Sequence, residues 1–134
     1  MKIEEWETLQ AQYTTSDGFT DRSLKGMWFT FDGRLNRMRY FLRVLPVYLL
    51  AGAVIVMMQH IWWMGLVYLP VLWSFMSLVA RRAHDLGKSQ WFWMIGACLP
   101  VLNVVLGLYL LFKHGERGPN QYGLDPTEYP YDVR

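Results

Sequence analysis

"WFWMIGACLPVLNVVLGLYLLF", residues 91–112, is 22 residues long and carries no formal charge, the length of one membrane crossing. Pro100 and Asn103 interrupt it near its middle. A proline inside a helix removes a backbone donor and clashes with the preceding turn. An asparagine amide in hydrocarbon needs a partner. Two folds follow. A single kinked span carries the C-terminus across the membrane, whereas a re-entrant hairpin, two short helices meeting at Pro100-Val101-Leu102-Asn103, returns it to the side it came from. Lys113, His114 and Arg117, just beyond the segment, favour the return. Length favours the crossing and tips the expectation toward one kinked span.

Upstream, residues 44–80 form a 37-residue stretch without a charged side chain. As one helix it would be about 55 Å long, against a hydrocarbon core of about 30 Å, so it must fold back. The polar break is Gln59-His60, with Trp62 and Trp63 just beyond, a composition suited to a turn at a membrane surface. The expected spans are therefore about 40–58 and 61–80, with 91–112 as the third segment. The predicted fold is an all-α integral membrane protein: a hairpin of two spans plus a Pro-interrupted segment, either kinked span or re-entrant hairpin.

Charge is distributed in keeping with this. Residues 1–32 are net −3, 33–43 net +4 and the connector 81–90 net +2, while the Gln59-His60 turn has no lysine or arginine. By the positive-inside rule the N-terminus and the connector are cytoplasmic. The overall charge of +2 thus comes from basic collars around apolar segments, which argues against a nucleic-acid partner. The acidic start (Glu4, Glu5, Glu7) does not resemble a secretory signal. The single Cys98 excludes an intrachain disulfide, and with His60, His84 and His114 it has no metal-ligand spacing. No metal or cofactor is expected.

At 134 residues the chain is at most one domain. It divides into a polar extension (1–23), a multi-pass membrane domain (24–126) and an irregular tail (127–134). In the extension, Ile3, Trp6, Leu9 and Tyr13 recur at near-helical spacing and offer an amphipathic contact face. Its acidic character points to a protein rather than to anionic lipid.

Three polar groups hold the site-like chemistry. In FDGRLNRMRYF, residues 31–41, Asp32 is a candidate helix cap, and Arg34, Arg37 and Arg39 are expected at headgroup level. In the connector, Arg82, His84 and Asp85 combine a cation, an imidazole and a carboxylate, but no nucleophile accompanies them. A charged elbow is the preferred reading there, and no enzyme activity is expected. HGERGPNQYGLDP, residues 114–126, reads as a defined loop rather than a phosphate-binding one, for want of a Gly-Lys-Ser/Thr ending.

The order of these groups resembles the YhaH-like family of bacterial inner-membrane proteins, a domain of unknown function. The opening motif is Phe31-Asp32-Gly33-Arg34 with Arg37, Tyr40 and Phe41. The connector reads Arg81-Arg82-Ala83-His84-Asp85-Leu86-Gly87-Lys88-Ser89-Gln90-Trp91-Phe92. The ending has Gly115, Gly118, Asn120, Tyr122-Gly123 and Asp125-Pro126. Ala83 stands where the family usually has leucine, and Lys88 where arginine is commoner. The resemblance implies a bacterial inner-membrane location and implies that the three groups belong together. Arg34, Arg37, Arg82, His84, Asp85, Asn120 and Tyr122 would then form one polar cap, structural or holding an anionic ligand or lipid, provided the third segment is re-entrant.

Function is read as interaction. The chain is expected to contact membrane lipid and a protein partner or further copies of itself, as an accessory subunit of a membrane complex. The alternative is an oligomeric channel or small-solute transporter. The spans, however, hold no Asp, Glu or Lys, and Ser74, Ser77 and Asn103 are the polar side chains at depth.

Overall fold

The computed structural model describes Glu4, Thr8 and residues 28–31, 33–118 and 120–122. Asp32 as a cap lies outside the described residues, as does the tail beyond Tyr122. So does the amphipathic extension apart from Glu4 and Thr8. Among the described residues every regular element is a helix.

The first long helix, α1, spans Arg37–Met58, and Asn36 caps it by accepting the Arg39 N–H at 2.9 Å. Tyr40, Val44, Val47, Ala51 and Val54 recur at alternating steps of four and three, so they fall on one stripe. That stripe packs on the second long helix, α2 (Gly65–Asp85), through residues such as Val71, Leu78 and Val79. Gln59 and His60 make the turn between them, and a short 3₁₀ turn, Trp62–Met64, leads into α2. The outward faces are apolar: Leu49 is 68% exposed and Trp62 85%. Arg37–Met58 and Trp62–Asp85 are both long and apolar enough to cross a membrane.

The third segment is a hairpin, against the expectation that length suggested. It consists of α3 (Gln90–Ala97) and α4 (Pro100–Phe112), joined through Cys98 and Leu99. Pro100 stands at the first position of α4 rather than inside a helix. There its missing N–H costs nothing and its fixed φ suits the start. It also drives the residue before it out of the helical region, and Leu99 is extended at φ −96°, ψ 122°. The proline therefore breaks the segment instead of bending it. The rings of Trp93 and Tyr109 stack at 5.3 Å between centroids. In one continuous helix those residues would lie about 24 Å apart. Gly96 lies against Leu106 so closely that a Cβ would collide with its side chain. At about 12 Å and 20 Å, neither α3 nor α4 matches the thickness of a hydrocarbon core, about 30 Å.

A second feature was not foreseen. The residues before α1 run alongside α2. Phe29 gives its carbonyl to Trp73 Nε1–H at 3.1 Å, Thr30 gives its carbonyl to the Ser77 hydroxyl at 2.5 Å, and Gly33 lies by His84. Trp73 is twelve residues below the end of α2, about 18 Å along its axis. Irregular backbone packed along a helix needs its polar groups satisfied, and Trp73 and Ser77 supply the donors. The aromatic run Trp28, Phe29 and Phe31 was the available signal, but it is too short to read as a span.

Candidate functional site

Because α3 and α4 turn back, four stretches of chain converge at one end of the bundle: the residues before α1, the end of α2, the end of α4 and, beyond it, residues 113–118 with 120–122. Asp85, the last residue of α2, is at their centre. Arg82 precedes it by three positions, on the same helix face, and forms an ion pair with it. Arg34 reaches it from before α1, with Nη2 3.1 Å and Nε 3.2 Å from Oδ1. All three are withdrawn from solvent: Arg82 is 0% exposed, Asp85 3% and Arg34 6%. The Arg34 guanidinium points into the protein rather than out to its surroundings. Arg81 is buried beside them.

Burying charges is costly unless every donor is met. Each guanidinium nitrogen of Arg34 and Arg82 has an acceptor. Arg82 Nε donates to the Leu110 carbonyl at 2.7 Å, Nη1 to that of Leu35 at 3.2 Å, and Nη2 to that of Lys113. Arg34 Nη1 donates to the Gly118 carbonyl at 2.6 Å and Nη2 to that of Glu116. Two backbone bonds complete the join: Glu116 N–H to the Asp85 carbonyl at 2.8 Å and Leu35 N–H to the Arg81 carbonyl at 3.2 Å. Leu110 and Lys113 lie where a helix ends with carbonyls that have no partner of their own. Arg82 thus caps α4 from a neighbouring helix.

Two glycines allow this closeness. A Cβ on Gly115 would strike the Asp85 carboxylate, and one on Gly87 would strike that of Glu116. Gly87 also turns the elbow after α2 at φ +68°, a conformation that other residues resist.

His84 is held as firmly. Its Nδ1 is 3.1 Å from the Gly33 carbonyl, which can only accept, so the proton sits on Nδ1. Its ring stacks on Tyr122, centroids 4.0 Å apart and 7° from parallel. Asn120 donates from Nδ2 to the His84 carbonyl at 2.9 Å and closes its own turn through Oδ1 to the Tyr122 N–H. The structure therefore gathers Arg34, Arg82, His84, Asp85, Asn120 and Tyr122 into one cap. Arg37 is at its margin, exposed, with one long bond of 3.4 Å to the Phe112 carbonyl.

The arrangement does mechanical work. The guanidiniums of Arg34 and Arg82, already surrounded by acceptors, have few donors left for a phosphate, and the imidazole is engaged at Nδ1. Sequence reading missed the partners that matter most, because they are main-chain carbonyls. Among the described residues there is no group of three His, Cys, Asp or Glu able to hold a metal ion.

Two polar side chains of the apolar segments also bond within the protein. Tyr48 donates its hydroxyl hydrogen to Asn103 Oδ1 at 2.7 Å, while Asn103 Nδ2 donates to the Ala97 carbonyl at 2.6 Å. These bonds tie the hairpin tip to itself and to α1. Tyr48→Phe should lower the unfolding free energy in detergent by about 0.6–2 kcal/mol, read from a denaturation midpoint against the native chain. An unchanged midpoint would mean that the tip is held by packing alone.

A family model described as a protein of unknown function, DUF805, matches residues 28–124, more than half of the chain. Neither a curated protein nor a solved structure matches it. The matched span takes in all four helices and every residue of the cap.

Proposed function

We propose that this chain, which belongs to the DUF805 family of proteins of unknown function, is a multi-pass protein of a bacterial inner membrane that acts by lateral association, as an accessory subunit of a membrane complex. Within the family, the three ordered motifs support kinship with the YhaH-like members. One observation carries the functional reading. Arg34, Arg82, Ser77 and Asn103 all spend hydrogen bonds on the protein's own backbone, while α1, α3 and α4 present broad apolar faces outward. A chain built in this way offers its surroundings surface rather than reactive groups.

Orientation follows from charge. Arg34, Arg37, Arg39, Arg81, Arg82, Lys88, Lys113 and Arg117 belong to the cap end of the bundle, and the Gln59-His60 turn has neither lysine nor arginine. The cap end and the N-terminus are therefore cytoplasmic. Trp62 and Trp63 anchor the opposite interface.

The test is twofold. Carbonate washing should leave the protein in the membrane fraction, and gentle solubilisation should recover it with one defined partner. Deleting residues 1–23 should break that association. The contrary result is ion or solute flux through reconstituted protein that is abolished by Ser77→Ala or Asn103→Leu; it would establish the channel or transporter alternative instead.

A further inference from the structure

Beside the saturated clamp lies a set of exposed basic side chains with little bonding among the described residues. Arg37 is exposed, and among the described residues its side chain makes the 3.4 Å bond to the Phe112 carbonyl. Arg117 and His114 are exposed, and neither side chain has a partner within the protein among the described residues. With Asn36, Gly115, Glu116 and the edge of Asp85 they line a concave pocket of about 260 Å³.

The two acids in the wall do not cancel the cations. Asp85 is met by two guanidiniums, Arg34 and Arg82, whose surplus positive charge offsets the Glu116 carboxylate, and Glu116 also accepts from Asn120 Nδ2 at 3.0 Å. With Arg37 and Arg117 added to Arg34 and Arg82 against the two carboxylates, the formal charge around the pocket is positive. The planar guanidiniums of Arg37 and Arg117 suit the oxygens of a phosphate, which they can bind in pairs of parallel hydrogen bonds. Size narrows the class. The volume is below the roughly 300–1,000 Å³ of sites that enclose a drug-sized ligand, so it fits a single phosphate-bearing group.

We infer that this pocket binds phosphate chemistry, either the phosphodiester of an anionic lipid headgroup or a free phosphate, with Arg37 and Arg117 as the principal contacts. The lipid source rests on the membrane reading above, where a basic pocket at the cytoplasmic face meets anionic headgroups. The anion chemistry does not depend on it.

The full chain, purified and reconstituted into phosphatidylcholine nanodiscs, is tested with two probes: phosphatidylglycerol in the bilayer, read as lipid retained by native mass spectrometry, and radiolabelled inorganic phosphate in solution. Phosphatidylglycerol should be retained in preference to phosphatidylethanolamine. The double variant Arg37→Gln/Arg117→Gln should weaken retention about thirty-fold, while Lys88→Gln should retain it as the native chain does. If inorganic phosphate binds instead, and the double variant loses it, the source is free phosphate. The inference is overturned if neither probe binds above the neutral lipid, or if the double variant binds as the native chain does. Both arginines are exposed, so the double variant should keep the native unfolding midpoint. Should it misfold, Arg37→Lys/Arg117→Lys, which keeps charge but not paired geometry, must still show a several-fold loss. A protein that carbonate strips from the membrane yet still binds phosphate through these arginines would sink the membrane reading and leave the pocket standing.

Discussion

Asp85→Ala should lower the stability of the folded chain by about 3–5 kcal/mol, the cost of leaving buried charges without their partner. Two guanidiniums, Arg34 and Arg82, face that one carboxylate and are withdrawn from water. Without it they repel one another across a dry interior, and the backbone join between α2 and the loop at Glu116 loses its neighbour. Equilibrium unfolding of the purified protein in detergent measures the effect. A loss below about 1 kcal/mol would place the pair among exposed bridges and contradict the burial described above.

Arg82 is the second large effect, and the choice of substitution makes it informative. For a simple buried ion pair, replacing the members with apolar residues of similar volume is often neutral or stabilising. That should not hold here. Arg82 also supplies hydrogen bonds to the carbonyls of Leu35, Leu110 and Lys113. Arg82→Met/Asp85→Met should therefore remain about 2 kcal/mol or more below the native chain, since each buried acceptor left without a donor costs about 1–3 kcal/mol and Arg34 is left buried without its carboxylate. Arg82→Lys should fail too, because one ammonium cannot span the acceptors that a planar guanidinium reaches. With either variant, cleavage by a protease between Phe112 and Gly118 should accelerate as the end of α4 comes free. A double methionine variant as stable as the native chain would contradict both the carbonyl-capping role of Arg82 and the dependence of Arg34 on Asp85.

Much of this fold was legible in the residues. The turn at Gln59-His60 follows from 37 uncharged residues that cannot extend straight through a bilayer, and α1 ends at Met58 where that reading put it. The grouping of Arg34, Arg82, His84, Asp85, Asn120 and Tyr122 was legible only through resemblance, because nothing in local spacing brings position 34 to position 118.

The third segment misled for a physical reason. Length measures whether a segment can cross, and 22 residues can. Whether it does depends on whether Pro100 falls inside a helix or at the start of one. In the structure it starts α4, and Asn103 finds its partners at the tip. The tethers that then hold α4 back are carbonyls of Leu110 and Lys113, which every sequence possesses. The path of residues 28–31 beside α2 was hidden in the same way, in the carbonyls that Trp73 and Ser77 meet.

The re-entrant hairpin can be tested by placing single cysteines in a Cys98→Ser background at three exposed positions: Ser89 in the elbow, Gln121 beyond α4 and His60 in the far turn. A membrane-impermeant thiol reagent is applied to intact cells and again after permeabilisation. Ser89→Cys and Gln121→Cys should react alike, only after permeabilisation, while His60→Cys reacts in intact cells. If Ser89→Cys and Gln121→Cys fall on opposite sides, residues 91–112 cross the membrane, and the cap that joins α2 to the loop after α4 does not exist.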